Sequence, residues 1–348
     1  GGAVSISAGS RTSIILQEVT VESNWARNFG GAISIYANEN VNRDDIGSHY
    51  RNMVDSLDEC NIIIALSNFS NNAAGNVGGA IYLKGNKPAS IVMIENSIFA
   101  NNEAKGKGGA CYIEANKKQA VLKLTNLTVV SNTAKLNGGA FSIKYFHAIQ
   151  IHDSRFLNNT SLTTVGGAIS LYDVDKLEVR ECHFSNNHAG VTGFGGALHV
   201  ESKTTSPSIE INSATFYNCS AEQVGGAFYL RAHGNATLKV KGSRFAKNHV
   251  VKYYGGAMAI YVMSSVSPLL FEDTTFENNE ANFGGVLHLS NGNATFQSCS
   301  FIDNIASTLG GHLHTAAGSS NLNILDSIFN QTVFKLHGSG NLTAGTFY

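Results

Sequence analysis

The chain has 348 residues and a formal net charge of −1, with only 14% charged residues, 36 glycines and 3 prolines. This composition fits a β-rich protein with many tight corners. We expect no nucleic-acid partner, because no lysine- or arginine-rich stretch supplies the electrostatic attraction that dominates nucleic-acid affinity. No apolar run approaches the roughly 20 residues of a spanning helix, so we also expect no membrane span in this segment.

Pairs of glycine recur along the whole chain and are usually followed by alanine. Most pairs are 28 to 30 residues apart. They begin at residues 1, 30, 78, 108, 138, 166, 195, 225, 255, 284 and 310. A fixed period of this length indicates a repeat architecture, in which each unit buries its apolar face against its neighbours. Glycine pairs that no helix follows do not form a phosphate-binding loop, and we assign no cofactor.

A second motif, Phe-x-x-Asn, lies upstream of most glycine pairs, as in Phe184 to Asn187. Apolar residues alternate before it, for example at Leu177 and Val179, which is the pattern of strands with one buried face. We predict three such strands per repeat, joined by corners and stacked on the neighbouring repeats. The predicted fold is all-β: a right-handed, single-stranded parallel β-helix (solenoid) of about eleven coils of 28–30 residues, forming one domain over residues 1–348.

The asparagine of this motif is predicted to recur at one turn of every coil and to face inward. A buried turn leaves backbone groups unpaired, and stacked asparagine amides can bond both to those groups and to one another. We therefore predict that this column is structural. Its members are Asn24, Asn72, Asn102, Asn132, Asn159, Asn187, Asn248, Asn279 and Asn304, and Cys219 occupies the same position in one coil.

Three further features of the sequence are an insertion, the cysteines and the position of the first glycine pair. Residues 38–58 form an insertion that we predict to project from the β-helix as a loop. The five cysteines are odd in number and lack the paired spacing of a metal site, so we expect neither a disulfide framework nor a bound metal. The glycine pair at residue 1 already lies inside a repeat, which favours a chain that is part of a longer protein.

Interleaved Gly-Gly-Ala and Phe-x-x-Asn motifs, as in Phe99 to Asn102 leading to Gly108-Gly109-Ala110, cover nearly the whole chain. They resemble the polymorphic outer membrane protein repeats of chlamydiae. The resemblance implies a β-helical autotransporter passenger that is exposed on the cell surface and acts as an adhesin. It implies no catalytic residues. On this basis we expect an extracellular or cell-surface location.

Asn-x-Ser/Thr sequons, the acceptor sites for N-linked glycans, occur at several places outside the strands that follow the glycine pairs. Asn159 belongs to the inward column and should be unmodifiable, whereas the other sites are predicted to lie on outward positions or corners. The candidates for glycosylation are Asn68, Asn126, Asn158, Asn218, Asn235 and Asn293. Their placement favours passage through a eukaryotic secretory pathway.

The strand after each glycine pair carries tyrosine or histidine at positions predicted to point outward. On successive coils, such rings would form a flat amphipathic strip suited to contact with protein or sugar surfaces. The alternative is that exposed strands simply favour tyrosine. The candidate binding residues are Tyr36, Tyr82, Tyr112, Tyr172, His199, Tyr229, Tyr261, His288 and His314.

These features favour a non-enzymatic extracellular scaffold or adhesion module that uses an elongated face of the β-helix. Its partners would be other protein chains or surface glycans, and uncovered strand edges would permit self-association end to end. Two alternatives stay open, a carbohydrate-binding module and, less favoured, a polysaccharide lyase or hydrolase. Such an enzyme needs clustered carboxylates, and the best candidates, Asp173, Asp175 and Glu178, have no matching acids on adjacent coils.

Overall fold

The computed structural model describes residues 2–8, 13–37, 61–85, 91–115, 119–204, 206–264, 267–316, 320–330 and 342–344. All regular secondary structure in these residues is β-strand. The described part of the chain contains no helix long and apolar enough to span a membrane. The loop predicted at residues 38–58 lies outside the described residues.

The strands are short and follow one another through tight corners. The first fifteen are β1 (Val4–Ala8), β2 (Ile14–Gln17), β3 (Thr20–Glu22), β4 (Trp25–Ala26), β5 (Ile33–Ala37), β6 (Asn61–Ala65), β7 (Asn68–Ser70), β8 (Ala73–Ala74), β9 (Ile81–Gly85), β10 (Ile91–Glu95), β11 (Ile98–Ala100), β12 (Glu103–Ala104), β13 (Cys111–Glu114), β14 (Val121–Thr125) and β15 (Thr128–Val130). The next fifteen are β16 (Thr133–Ala134), β17 (Phe141–Lys144), β18 (Ala148–His152), β19 (Arg155–Leu157), β20 (Thr160–Ser161), β21 (Ile169–Tyr172), β22 (Lys176–Arg180), β23 (His183–Ser185), β24 (His188–Ala189), β25 (Leu198–Ser202), β26 (Ser208–Asn212), β27 (Thr215–Tyr217), β28 (Ser220–Ala221), β29 (Phe228–Ala232) and β30 (Thr237–Lys241). The last are β31 (Arg244–Ala246), β32 (His249–Val250), β33 (Met258–Val262), β34 (Pro268–Glu272), β35 (Thr275–Glu277), β36 (Glu280–Phe283), β37 (Leu287–Ser290), β38 (Gly292–Gln297), β39 (Ser300–Ile302), β40 (Ile305–Leu309), β41 (Leu313–Thr315), β42 (Ser320–Leu325), β43 (Ile328–Asn330) and β44 (Leu342–Ala344).

Every fourth strand belongs to the same sheet, and neighbours within a sheet are parallel. Sheet A contains β1, β5 and so on to β41, and sheets B, C and D start from β2, β3 and β4 in the same way. Among the described residues they hold 11, 12, 11 and 10 strands, respectively, and sheet B ends with β44 beside β42. This order is a parallel β-solenoid in which each coil adds one strand to each sheet, and it confirms the predicted fold. The prediction of three strands per coil was wrong, because the strands of sheet D are mostly two residues long and show no alternation.

The interior of the coils is filled by columns of apolar side chains in register. In sheet C, Phe184 pairs with Phe156 on one side and with Phe216 on the other. Its ring centroid lies 4.9 Å from that of Phe156 and 4.8 Å from that of Phe216, and the three rings are stacked nearly parallel to one another. All three side chains are fully buried. Parallel pairing places like residues at successive levels, so aromatic stacking repeats along the axis.

The glycine pairs are required by backbone geometry. The first glycine adopts a left-handed conformation, as in Gly138 with φ of 70°, which side-chain-bearing residues rarely adopt. The second lies directly against the next coil: a Cβ placed on Gly139 would stand 2.0 Å from the carbonyl oxygen of Gly167. Close backbone approach between coils, and not anion binding, therefore explains this motif.

Candidate functional site

The asparagine column forms a continuous hydrogen-bond ladder inside the solenoid. The backbone N–H and the side-chain amide of Asn102 both donate to Oδ1 of Asn132 at 3.0 Å. The amide of Asn132 in turn donates to the carbonyl of Phe99 at 2.9 Å and to Oδ1 of Asn159 at 3.0 Å. The same pattern recurs at Asn72, Asn159, Asn248 and Asn279, and all members of the column are buried except the half-buried Asn24. The column satisfies the backbone of a buried turn, which is a structural role.

Cys219 interrupts this ladder without breaking the backbone contact to the next coil. Its N–H donates to Oδ1 of Asn248 at 3.0 Å, as an asparagine at this position would. Its thiol, however, lies 3.9 Å from the amide nitrogen of Asn187 and 3.7 Å from the carbonyl of Phe184. A thiol is a weak donor and a weak acceptor, so these contacts are poorer than the amide contacts elsewhere.

We expect Cys219→Asn to stabilise the protein by about 1 kcal/mol, because it would complete the ladder with two amide hydrogen bonds. Nine other coils carry asparagine at this position. Urea denaturation of the two proteins measures the difference. Cys111→Asn, which places the same amide in the apolar core of sheet A where Cys111 is fully buried, is the matched control and should destabilise. Equal destabilisation by both substitutions would contradict the ladder assignment.

A second hydrogen-bond column was not predicted from the sequence. The hydroxyl of Ser154 accepts the N–H of Leu127 in the preceding coil at 3.0 Å and donates to the carbonyl of His152 at 2.6 Å. Cys182 occupies the equivalent position in the next coil and lies 3.2 Å from two carbonyl oxygens. The sequence signal is a serine, threonine or cysteine two residues before the phenylalanine of the Phe-x-x-Asn motif. Cys182 and Cys299 are therefore buried, free thiols that substitute for a hydroxyl.

The nine predicted binding-face residues do not form one strip. Tyr82, Tyr112, His199, Tyr229, His288 and His314 belong to a first outward column of sheet A. Ser142 and Ser170 interrupt this column between Tyr112 and His199, and Ala259 interrupts it after Tyr229. Tyr36, Tyr172 and Tyr261 belong to a second column, where they alternate with charged residues such as Lys84, Glu114 and Arg231.

The first column is also far less exposed than predicted. Tyr82 is 7% exposed, Tyr229 is 5% exposed and His199 is 4% exposed. The residue before a glycine pair covers the ring of the next coil, as Phe194 does for Tyr229 with centroids 5.1 Å apart. The rings also stack on one another, as Tyr82 and Tyr112 do at 5.6 Å and 8°. Their faces are therefore used inside the protein, and they form small satellite cores outside the coil.

Burial favours the neutral forms of Tyr229 and His288 in this column. It raises the pKa of Tyr229 to about 12 and lowers the pKa of His288 to about 3. The Nδ1 atoms of His288 and His314 lie 2.7 Å apart, and their rings stack with that of Tyr254. No group of three or more His, Cys, Asp or Glu side chains that could hold a metal occurs among the described residues.

The candidate acidic residues each have a local partner. Asp173 accepts the backbone N–H groups of Lys203 and Thr204 at 2.7 and 3.0 Å and so shapes the adjacent turn. Asp175 pairs with His147 at 3.1 Å and Glu178 with His152 at 3.2 Å. The structure thus places Asp173 in a turn contact and the other two in separate surface pairs. The expectation that no acid on an adjacent coil matches them was wrong for Glu178, because Glu210 of the next coil lies beside it in register.

The six glycosylation candidates differ in accessibility. Asn126, Asn158, Asn218 and Asn235 are exposed, and the first three lie at corners in the left-handed conformation. Asn68 lies in β7 and Asn293 lies in β38, and both are only partly exposed. Asn159 is fully buried, as its place in the inward column requires.

In a eukaryotic secretory host we expect glycans on the four exposed sites and none on Asn159, because the transferase must reach the side-chain amide. Intact-mass analysis before and after glycosidase treatment, followed by peptide mapping, gives the occupancy. Asn158→Gln is the informative variant, since the overlapping Asn159 sequon stays intact and should still carry nothing. A glycan at Asn159 would contradict its burial.

The comparisons with known proteins agree with this geometry. A family profile described as a right handed beta helix region matches residues 104–212. A profile of the Chlamydia polymorphic membrane protein repeat matches residues 67–84, which include a Phe-x-x-Asn motif and the following glycine pair. Comparison with curated proteins and with solved structures gives no significant match. The repeat type indicates a β-helical protein associated with an outer membrane or cell surface. The chain is therefore a parallel β-helix protein, and its residues 67–84 match a repeat of the chlamydial polymorphic membrane protein type.

Proposed function

We propose that the chain is a non-enzymatic surface scaffold that contacts other proteins or glycans through its elongated outer faces. The observation that carries this proposal is the unbroken strand register of sheets A, B and C, from the first coil to the last. Equivalent residues on successive coils are held about 4.8 Å apart by backbone hydrogen bonds. A solenoid of this kind presents extended surfaces whose side chains are fixed relative to one another.

The candidate site residues support a scaffold over an enzyme. Polysaccharide hydrolysis needs two carboxylates that face one substrate, and elimination needs clustered acids for a cation or a basic residue beside them. The carboxylate of Asp173 accepts backbone hydrogen bonds within a turn, and Asp175 and Glu178 pair with different histidines. The asparagine and serine side chains of the two hydrogen-bond columns bond to the backbone of the coils.

The burial of the tyrosine column argues against a carbohydrate-binding module of the stacking type. Such a module presents ring faces to the sugar, whereas Tyr82 and Tyr112 stack on each other and Tyr229 lies under Phe194. Contact through the outer faces therefore depends on the exposed polar and charged residues of the coils.

Adhesion of beads coated with the full chain tests the proposal. Under flow, we expect these beads to remain on defined protein and glycan surfaces more than beads coated with the heat-unfolded chain. The same protein, incubated with a panel of acidic and neutral polysaccharides, should release neither reducing ends nor unsaturated uronates. Catalytic release of product, or equal retention of folded and unfolded chains, would overturn the proposal.

A further inference from the structure

Positive charge is concentrated in one part of this nearly neutral chain. Residues 101–150 contain seven lysines and two glutamates, with no arginine or aspartate. The lysines are spread along the sequence, so no basic run is visible there. The solenoid register brings several of them to the side where sheet D leads into sheet A.

Lys105 and Lys135 occupy the same position on successive coils, just after the strands of sheet D. Their N–H groups make equivalent hydrogen bonds, to Ala74 and Ala104 at 3.0 Å each, and both side chains are exposed. Lys107 directly precedes the glycine pair of its coil. At this position other coils carry an apolar or aromatic residue such as Phe194, so Lys107 brings charge to a normally apolar position.

Lys144 lies in the second outward column of sheet A, beside this group. Its Nζ is 5.7 Å from the ring centroid of Tyr112 and 5.8 Å from that of Tyr172. Burial, followed by repulsion from the neighbouring ammonium of Lys107, lowers the pKa of Lys144. The nearest carboxylate, Glu114, already binds Lys84 at 3.1 Å and accepts the hydroxyl of Tyr112.

No direct ion pair among the described residues neutralises this cluster. Among the described residues, Lys105, Lys107, Lys135 and Lys144 have no carboxylate within 4.0 Å. Like charges on neighbouring coils repel, as Lys107 and Lys144 do, and an anion bound between them would relieve the repulsion. The cluster occupies two successive coils, with Lys105 and Lys135 in register along the solenoid axis, so an acidic chain that follows the axis can place negative groups beside both coils.

We propose that the lysine cluster formed by Lys105, Lys107, Lys135 and Lys144 binds an acidic polysaccharide through its sulfate or carboxylate groups. The inference rests on the proposed surface role and names one class of partner for it. Asn137 takes the place of Lys107 in the next coil and is partly exposed, so its side chain can bond to sugar hydroxyls beside the lysines.

A single-stranded nucleic acid fits this cluster less well. Its affinity depends on bases that stack on free aromatic faces. The Tyr172 ring already contacts the ammonium groups of Lys144 and Lys203, at 5.8 and 5.5 Å. The Tyr112 ring already stacks on that of Tyr82. The cluster therefore offers charge and hydrogen bonds, but not a stacking platform.

Calorimetric titration of the full chain tests the proposal with four probes: heparin as the sulfated chain, polygalacturonate as the carboxylated chain, dextran as the neutral chain, and single-stranded DNA. At about 0.15 M salt, where long-range attraction is screened, we expect binding of heparin, polygalacturonate or both, and none of dextran. DNA should bind at least about tenfold more weakly than the better acidic polysaccharide.

The triple variant Lys107→Gln/Lys135→Gln/Lys144→Gln should lose about tenfold or more in affinity for the acidic polysaccharide. The matched control Lys176→Gln/Lys241→Gln/Lys247→Gln removes the same charge from exposed lysines of other coils and should bind as the unmodified chain does. Equal losses in both variants, dextran or DNA binding as tight as that of the acidic chains, or no binding at all would overturn the proposal. If the polysaccharide proposal fails, retention on protein surfaces of beads coated with the triple variant would show that the scaffold proposal still holds.

Discussion

Phe184→Ala should destabilise the protein by about 3–5 kcal/mol, the cost of removing a fully buried phenylalanine from a packed core. The ring lies between those of Phe156 and Phe216 in one column. Its removal leaves a cavity that cannot close, because the spacing of the coils is fixed by backbone hydrogen bonds on both sides. Two aromatic stacking contacts are lost together with the buried area.

Urea denaturation followed by circular dichroism measures this loss, and hydrogen exchange locates it. Because each coil contacts only its neighbours, faster exchange should be centred on β19, β23 and β27. Leu162→Ala is the matched control, since that side chain is 49% exposed and should contribute little. Unchanged stability of the Phe184 variant, or exchange that rises equally in all coils, would contradict an in-register phenylalanine column.

The parts of the fold that could be predicted are those that repeat with one residue type. The glycine pairs and the Phe-x-x-Asn motif mark positions where backbone approach or a buried turn permits little substitution. Asn187, for example, satisfies a turn that only a short polar side chain can satisfy from inside. Once the period is recognised, parallel stacking follows, because only a solenoid places equivalent residues of every repeat in contact.

The surface could not be predicted in the same way, because it depends on pairs of residues from different coils. The exposure of Tyr229 is decided by Phe194 of the preceding coil, and position 194 belongs to neither motif. The lysine cluster likewise depends on the register between Lys105 and Lys135, which are 30 residues apart in the chain. The alternation of apolar and polar residues along a strand correctly indicates which side chains point away from the core, but it carries no information about which residues cover them.

Asn132→Leu should also destabilise the protein by about 3–5 kcal/mol, although the two side chains are similar in size. The substitution removes the partner that Asn132 gives to the carbonyl of Phe99 and to the N–H of Asn102, whereas Oδ1 of Asn159 keeps only the backbone N–H of residue 132. Each unpaired buried group costs about 1–3 kcal/mol, and apolar contact does not compensate for this loss. The effect measures the hydrogen-bond ladder separately from core packing.

Asn132→Cys tests whether position 132 needs a polar side chain or whether any substitution disturbs the turn equally. Cys219 shows that one coil tolerates a thiol at the equivalent position, so we expect this variant to lose about 1–2 kcal/mol less than Asn132→Leu. Asn28→Leu, at an exposed position, is the control for added apolar surface and should leave urea denaturation unchanged. Equal costs of leucine and cysteine at position 132 would contradict this expectation, because of the two only the thiol can form a hydrogen bond. A smaller loss for cysteine would mean that a weak donor and acceptor meets part of the requirement for an amide.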